Sequence, residues 1–356
     1  MILNLLKEIV RARRDAGVQA TLYKVGDDDD DALITSGEVL HIPSSTDVAA
    51  VVGGTPIVVG GTAWVFSRPE LQGRFDYLFI DEAGQTSLAN AVAMGLSAAN
   101  LILVGDQMQL GQPMQGSHPG ETGLSCLEYA LHGHATIPPD RGVLLDTSFR
   151  MHPVICRFIS DAIYEGRLGS ASDTANQRVL AADGLRVPQE TGIAFLSVAH
   201  DGCAQSSDEE VDAIEELVRE LVGRRFVDRK GASRPLTLDD VLLVAPFNMQ
   251  VRRLRERLGN GARVGSVDKF QGQQAPVVIV SMCASSLDEA HRGADFLLSP
   301  NRLNVAVTRA QALAVVVGSP GLMRTRCRTI DEMRLVNLLC RLCHYAEHTK
   351  PDHGAA

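Results

Sequence analysis

The sequence predicts an α/β protein built on parallel sheets, and three observations carry that reading. Two runs rich in β-branched residues, 277–281 and 313–317, are almost wholly apolar, as strands covered on both faces are. The polar stretch between them carries Arg302 and Arg309, seven residues apart, so a helix there would put both on one side. A third run, Phe75–Ile80, ends in the acid pair Asp81–Glu82. Open parallel sheets place ligand-binding groups at that carboxyl edge.

Size and composition narrow the field. A chain of 356 residues suggests two domains. Apolar residues make up 45% and aromatics only 4%, so the cores should be rich in Leu, Val and Ala. The net charge of -9 argues against a generally basic nucleic-acid binder and leaves room for a local basic groove. Of the seven cysteines only Cys340 and Cys343 have metal-like spacing, followed directly by His344. With no second pair, they read as core or surface thiols rather than a zinc site. A reducing, cytoplasmic setting is expected. Neither a signal-peptide pattern nor a long apolar segment is present, and no membrane partner is expected.

Residues 2–15 read as an amphipathic helix and 20–25 as a strand. Five aspartates, 27–31, form a solvated acidic loop, and 33–55 carry no clear signal. Residues 56–61 read as a strand ending in glycines before Thr62. Residues 100–104 form another strand, from which Gly105 permits a tight exit. A loop–helix–loop link follows over 114–140; His118, His132 and His134 are too irregularly spaced there for a metal site. Pro153 opens a helix with apolar positions 154, 155, 158, 159 and 163. Residues 169–190 read as a polar surface loop and 193–197 as a strand. Ser207, with Glu210 three residues on, caps a helix to about Leu221. Residues 223–235 are basic and loop-like, and 241–245 form a strand. Residues 251–258 carry four arginines on a solvated helix face. A Leu-rich helix near 331–344 precedes a frayed tail.

Taken in order, DEAGQ, GDQMQLGQP, LLDTSFRMHP, VDKFQGQQ and NRLNVAVTRA resemble the motifs of the superfamily 1 nucleic-acid helicase core. The branch is the AAA-type one that holds the nonsense-mediated-decay helicases and the replication helicase-nucleases. The resemblance runs from about Ile57 to Pro320. It implies two tandem RecA-like P-loop NTPase-type domains: a partial first domain over 1–138, a second over 139–330, and a C-terminal helix and tail over 331–356. It also implies ATP and Mg2+ as cofactors.

Residue by residue, the resemblance makes Asp81 the Mg2+ ligand, Glu82 the base that polarises the attacking water, and Gln85 its positioner. Gln109 would reach the terminal phosphate, with Pro113 completing its motif. Arg150 would reach the γ-phosphate, and Phe149, in place of the usual Tyr, would stack on adenine. Gln250 is a candidate nucleotide or backbone contact. Gln271 and Gly272 belong to the motif in which Gln274 replaces an acid that bonds the nucleotide sugar; the amide keeps a carbonyl acceptor and loses the charge. Arg309 matches the arginine finger, suited to phosphate oxygens by its rigid fork. Thr62, Ser266 and Arg302 would contact nucleic acid.

The sequence contains no GxxxxGK[ST] loop. The expectation is therefore an N-terminally truncated core, weak or inactive alone, whose missing loop lies upstream or on a separate chain. Its activity would be ATP-dependent movement on a single strand, DNA ahead of RNA, with an upstream nuclease as a possible fused partner. The alternative is a non-catalytic nucleic-acid-binding or protein-binding remnant.

Overall fold

The computed structural model describes residues 2–27, 31–53, 56–112, 116, 118–182, 184–270, 272–290 and 292–349. Pro113, Gln271, three of the five loop aspartates and the terminal tail fall outside them. The chain divides into two units. One comprises Met1–Gln107 and Gly111–Gly133; the other comprises Met108–Leu110 and His134–Ala356.

In the first unit, α1 (Ile2–Ala16) lays Leu6 and Val10 against Leu22 of β1 (Thr21–Val25) and against Val39. β1 is the middle strand of a parallel sheet, between β2 (Leu40–Ile42) and β3 (Ile57–Gly60). β2 lies in the stretch that carried no sequence signal, because three residues are too few to show a period. A second parallel pair joins β4 (Phe75–Ile80) to β5 (Ala98–Leu103), connected through α2 (Leu88–Gly95). The Oγ of Ser87 caps α2 by accepting from Asn90 N. α3 (Cys126–Leu131) starts with a reciprocal capping box between Ser125 and Glu128.

The second unit is built on a five-stranded, wholly parallel sheet. Its strands are β7 (Gly192–Ser197), β10 (Val241–Val244), β11 (Arg263–Gly265), β12 (Ala275–Ser281) and β13 (Ala310–Gly318), in the spatial order β11-β10-β12-β13-β7. Successive side chains alternate between two cores. Leu242, Val244, Val278, Val280, Ala314 and Val316 meet α4 (Pro153–Ile163), α7 (Pro300–Val307) and α8 (Ile330–His348) on one face. Leu243, Val277, Ile279, Leu313 and Val315 meet α5 (Asp208–Leu221) and α6 (Asn248–Leu258) on the other. Both faces are covered, which is why the middles of these strands are apolar. Each such aliphatic side chain contributes on the order of 1.5–3 kcal/mol by leaving water. The terminal helix is part of this core, with Leu339 and Leu342 fully buried in it.

Two expected surface loops are ordered differently. Within 169–190, β6 (Arg178–Val179) pairs with β8 (Arg225–Val227), which also pairs with β9 (Ser233–Pro235) to make an antiparallel three-stranded sheet. Val179, Val187 and Phe226 are buried beneath it. The arginines of α6 do face outward, but Arg253 pairs with Asp208, and Arg257 with Asp212 and Glu215 of α5. Arg255 donates to Val264 O at 2.7 Å. Arg253 and Arg257 thus help to pack α6 on α5, and Arg252 is exposed. Among the described residues, no helix is long and apolar enough to cross a membrane.

Candidate functional site

At the carboxyl end of β4, Asp81 is exposed and its Oδ1 accepts from Glu82 N at 3.0 Å. Glu82 has φ +53°, a left-handed conformation that costs a residue bearing a Cβ and that clusters at functional sites. The neighbours fix that turn. Ala83 N donates to Val104 O at 2.9 Å, and Cys126 Sγ donates to Ala83 O at 3.3 Å. Gln85 Nε2 reaches Glu82 Oε2 at 3.5 Å, so the expected base and its expected partner share one turn. Backbone contact closes the arrangement. A Cβ on Gly84 would meet Asp106 O at 2.7 Å, and one on Gly105 would meet Ala83 N at 2.7 Å. Gly105 is therefore required by lack of space, as a tight exit demands. The role of Gly84 escaped the sequence reading, although glycine inside a motif was the available signal.

In the second unit, two arginines far apart in sequence come together. Arg150 Nη1 donates to Thr308 O at 3.2 Å, the carbonyl immediately before Arg309. Arg150 Nε donates to Gln274 Oε1 at 3.1 Å. The acceptor expected to meet a sugar thus holds an arginine. Burial pushes the Arg150 guanidinium below its usual range, yet arginine remains protonated throughout the accessible pH range. Arg309 is buried and its Nη2 donates to Gln109 Oε1 at 3.4 Å. Gln109 is fixed in turn through its backbone carbonyl, which accepts from Asn301 Nδ2. Asn304 Nδ2 donates to Met108 O at 2.8 Å and to Tyr164 Oη at 2.7 Å. Gln177 Nε2 donates to Arg150 O at 2.7 Å and to Gln311 O at 3.3 Å. Nothing in the sequence marked Gln177, because its partners lie 27 and 134 residues away.

Phe149 is 67% exposed, so its ring is open to stacking and takes no part in a core. Thr62 is exposed just ahead of the short helix Ala63–Phe66 and makes no capping bond. Ser266 follows β11, half-buried. Arg302 lies 3.5 Å from Asp268 and stacks 4.2 Å over the Phe296 ring centroid, and Phe296 in turn stacks on Phe247.

Gln250 is the correction. It is fully buried; its Oε1 accepts from Ser207 N at 3.0 Å and its Nε2 donates to Ser281 Oγ at 2.9 Å. With both ends of its amide used, Gln250 braces the fold and has no face left for a nucleotide. It adjoins a buried polar cluster that the sequence did not reveal. There Glu210 accepts from Ser281 Oγ at 2.6 Å, from Cys283 N at 3.0 Å and from His200 Nε2 at 2.9 Å. His200 Nδ1 pairs with Ser285 Oγ at 2.7 Å. Ser207 caps α5 as expected, but the Glu210 carboxylate turns into this cluster and away from the cap.

These side chains fit Mg2+ and a triphosphate in part. An exposed carboxylate at a strand end suits a hard cation, and guanidinium forks suit phosphate oxygens. The amide cradle of a GxxxxGK[ST] loop is not encoded in these residues.

A family model described as an AAA domain matches residues 124–321, more than half of the chain. The chain is 28% identical over 289 residues to the putative helicase mov-10-B.1 of Danio rerio, covering 71% of this chain and 28% of that protein. It is 30% identical over 266 residues to the DNA-binding protein SMUBP-2 of Rattus norvegicus, covering 68% and 25%. It is 28% identical over 258 residues to the regulator of nonsense transcripts 1 homolog of Drosophila melanogaster, covering 69% and 21%. The chain thus spans about a quarter of the length of these curated relatives. With its motifs in the expected order, the chain belongs to this AAA-domain family and is a superfamily 1 helicase core.

Proposed function

We propose that the chain is the catalytic portion of an ATP-driven motor that moves on single-stranded nucleic acid, DNA ahead of RNA. The observation that carries the reading is the convergence of Arg150, Gln274, Gln109 and Arg309 in the second unit. Four polar side chains from four separate motifs are held there by backbone carbonyls and by one another. That preorganisation is what stabilising charge on a transferring phosphoryl group requires. In this reading Arg309 is the finger and Arg150 a second γ-phosphate ligand. Asp81 holds Mg2+, Glu82 accepts the proton of the attacking water, and Gln85 orients that water. Gln109 senses the terminal phosphate, and Phe149 stacks on the base. Gln274 fixes Arg150 in place of bonding the sugar. Thr62, Ser266 and Arg302 contact the strand.

The test uses the chain preceded by a GxxxxGK[ST] segment, with ATP turnover measured with and without single-stranded DNA or RNA. Glu82→Gln should abolish turnover and spare nucleotide binding. Arg309→Ala should lower kcat by about 10³-fold or more, the range of arginine fingers. Turnover unaffected by Glu82→Gln would overturn the assignment of the base. No turnover at all with the loop in place would favour the non-catalytic reading.

A further inference from the structure

The last turn of α8 carries a set of side chains that the motor does not use. His344 and His348 are four residues apart with Glu347 between them, so all three leave one side of the helix. All are exposed, and their donor atoms lie within 4.8 Å of one another. The two imidazole rings stand 4.0 Å apart between centroids, tilted by 43°. His348 Nδ1 lies 2.8 Å from the backbone oxygen of His344. A carbonyl oxygen only accepts, so Nδ1 carries the proton and Nε2 presents its lone pair outward. Ligating histidines are oriented by such a backbone bond.

We propose that His344, Glu347 and His348 form a binding site for a divalent transition-metal ion. The donor set selects the class. Two imidazoles and one carboxylate suit Zn2+, Cu2+ or Ni2+, whereas Ca2+ and Mg2+ seek six or more ligands, nearly all oxygen. The negative end of the α8 macrodipole also favours a cation at this position. Three protein ligands leave one coordination position open to water or to a donor from another molecule. The nearby thiols are not part of the site. Cys343 is in the core, and neither it nor Cys340 is among the donor atoms gathered there. The C-x-x-C-H spacing in the sequence therefore points at the right helix and the wrong donors.

The site is tested on the tag-free chain by calorimetric titration with Zn2+, alongside His344→Ala, His348→Ala, Glu347→Gln and Cys340→Ser variants. Alanine keeps the helix, which circular dichroism verifies. The wild type should bind one equivalent of Zn2+. Each histidine variant should bind it roughly tenfold or more weakly, as loss of one ligand in three requires. Glu347→Gln should give a smaller loss and Cys340→Ser none, and the Co2+ form should lack thiolate-to-metal charge-transfer absorption. The proposal is overturned if the wild type binds no Zn2+, or if both histidine variants bind as the wild type does. A thiolate band abolished by Cys340→Ser would overturn it too.

Discussion

Glu82 shows what a single position demands of its surroundings. Its left-handed backbone persists because the turn after it is pressed between Val104 and Asp106, and because Gly84 and Gly105 lack side chains. Gly84→Ala should therefore destabilise the chain by about 1–3 kcal/mol, the usual cost of inserting a methyl where backbone already fills the space. Thermal unfolding checks this; an unchanged midpoint would mean that the two loops separate easily. The motifs that hold the acid pair, Arg150 and Arg309 were legible in the sequence, because residue type and order carry them. Gln250 was not, because whether an amide meets a ligand or a buried neighbour depends on what packs over it. Gly105 was read as a tight exit, and the close approach of Ala83 N is what makes it tight.

At the scale of elements, β12 and β13 were legible because continuous apolar runs have few other uses. The hairpin of β8 and β9 was not, since its strands are three residues long and rich in arginine. Arginines in and beside those strands are structural. Arg224 donates to Leu180 O and Val179 O, and Arg234 makes paired bonds to Asp240 at 2.7 and 2.6 Å. Burial raises the Asp240 carboxyl, but the bonds from Arg234 and Thr237 outweigh it and hold it below its usual 3.8. A carboxylate lowered in the folded state adds stability above its unfolded value and loses it as pH falls through the folded one. Asp240→Asn should thus cost roughly 1.5–3 kcal/mol near pH 7, as for bonds to a charged group. The gap to the wild type should close as pH falls below about 3.8. Urea titrations across that range decide it, and a gap independent of pH would show that charge is not the cause.

For the whole molecule, the two units differ in what holds them. The second has two extensive cores on either side of its sheet, whereas α1 and β1 of the first share a small cluster of Leu6, Val10, Leu22 and Val39. Calorimetry should accordingly show unfolding in more than one step, with the van't Hoff enthalpy below the calorimetric value. The first step should be the one that a probe at Trp64 reports. A single two-state transition would contradict this. The short strands of the first unit were too brief to announce themselves in the sequence. Glu210 ties the carboxyl rim of β12 to the segments at His200 and Cys283, and through Ser281 to Gln250. A knot drawn that tight is costly to loosen, since opening it would strand a buried carboxylate without its donors.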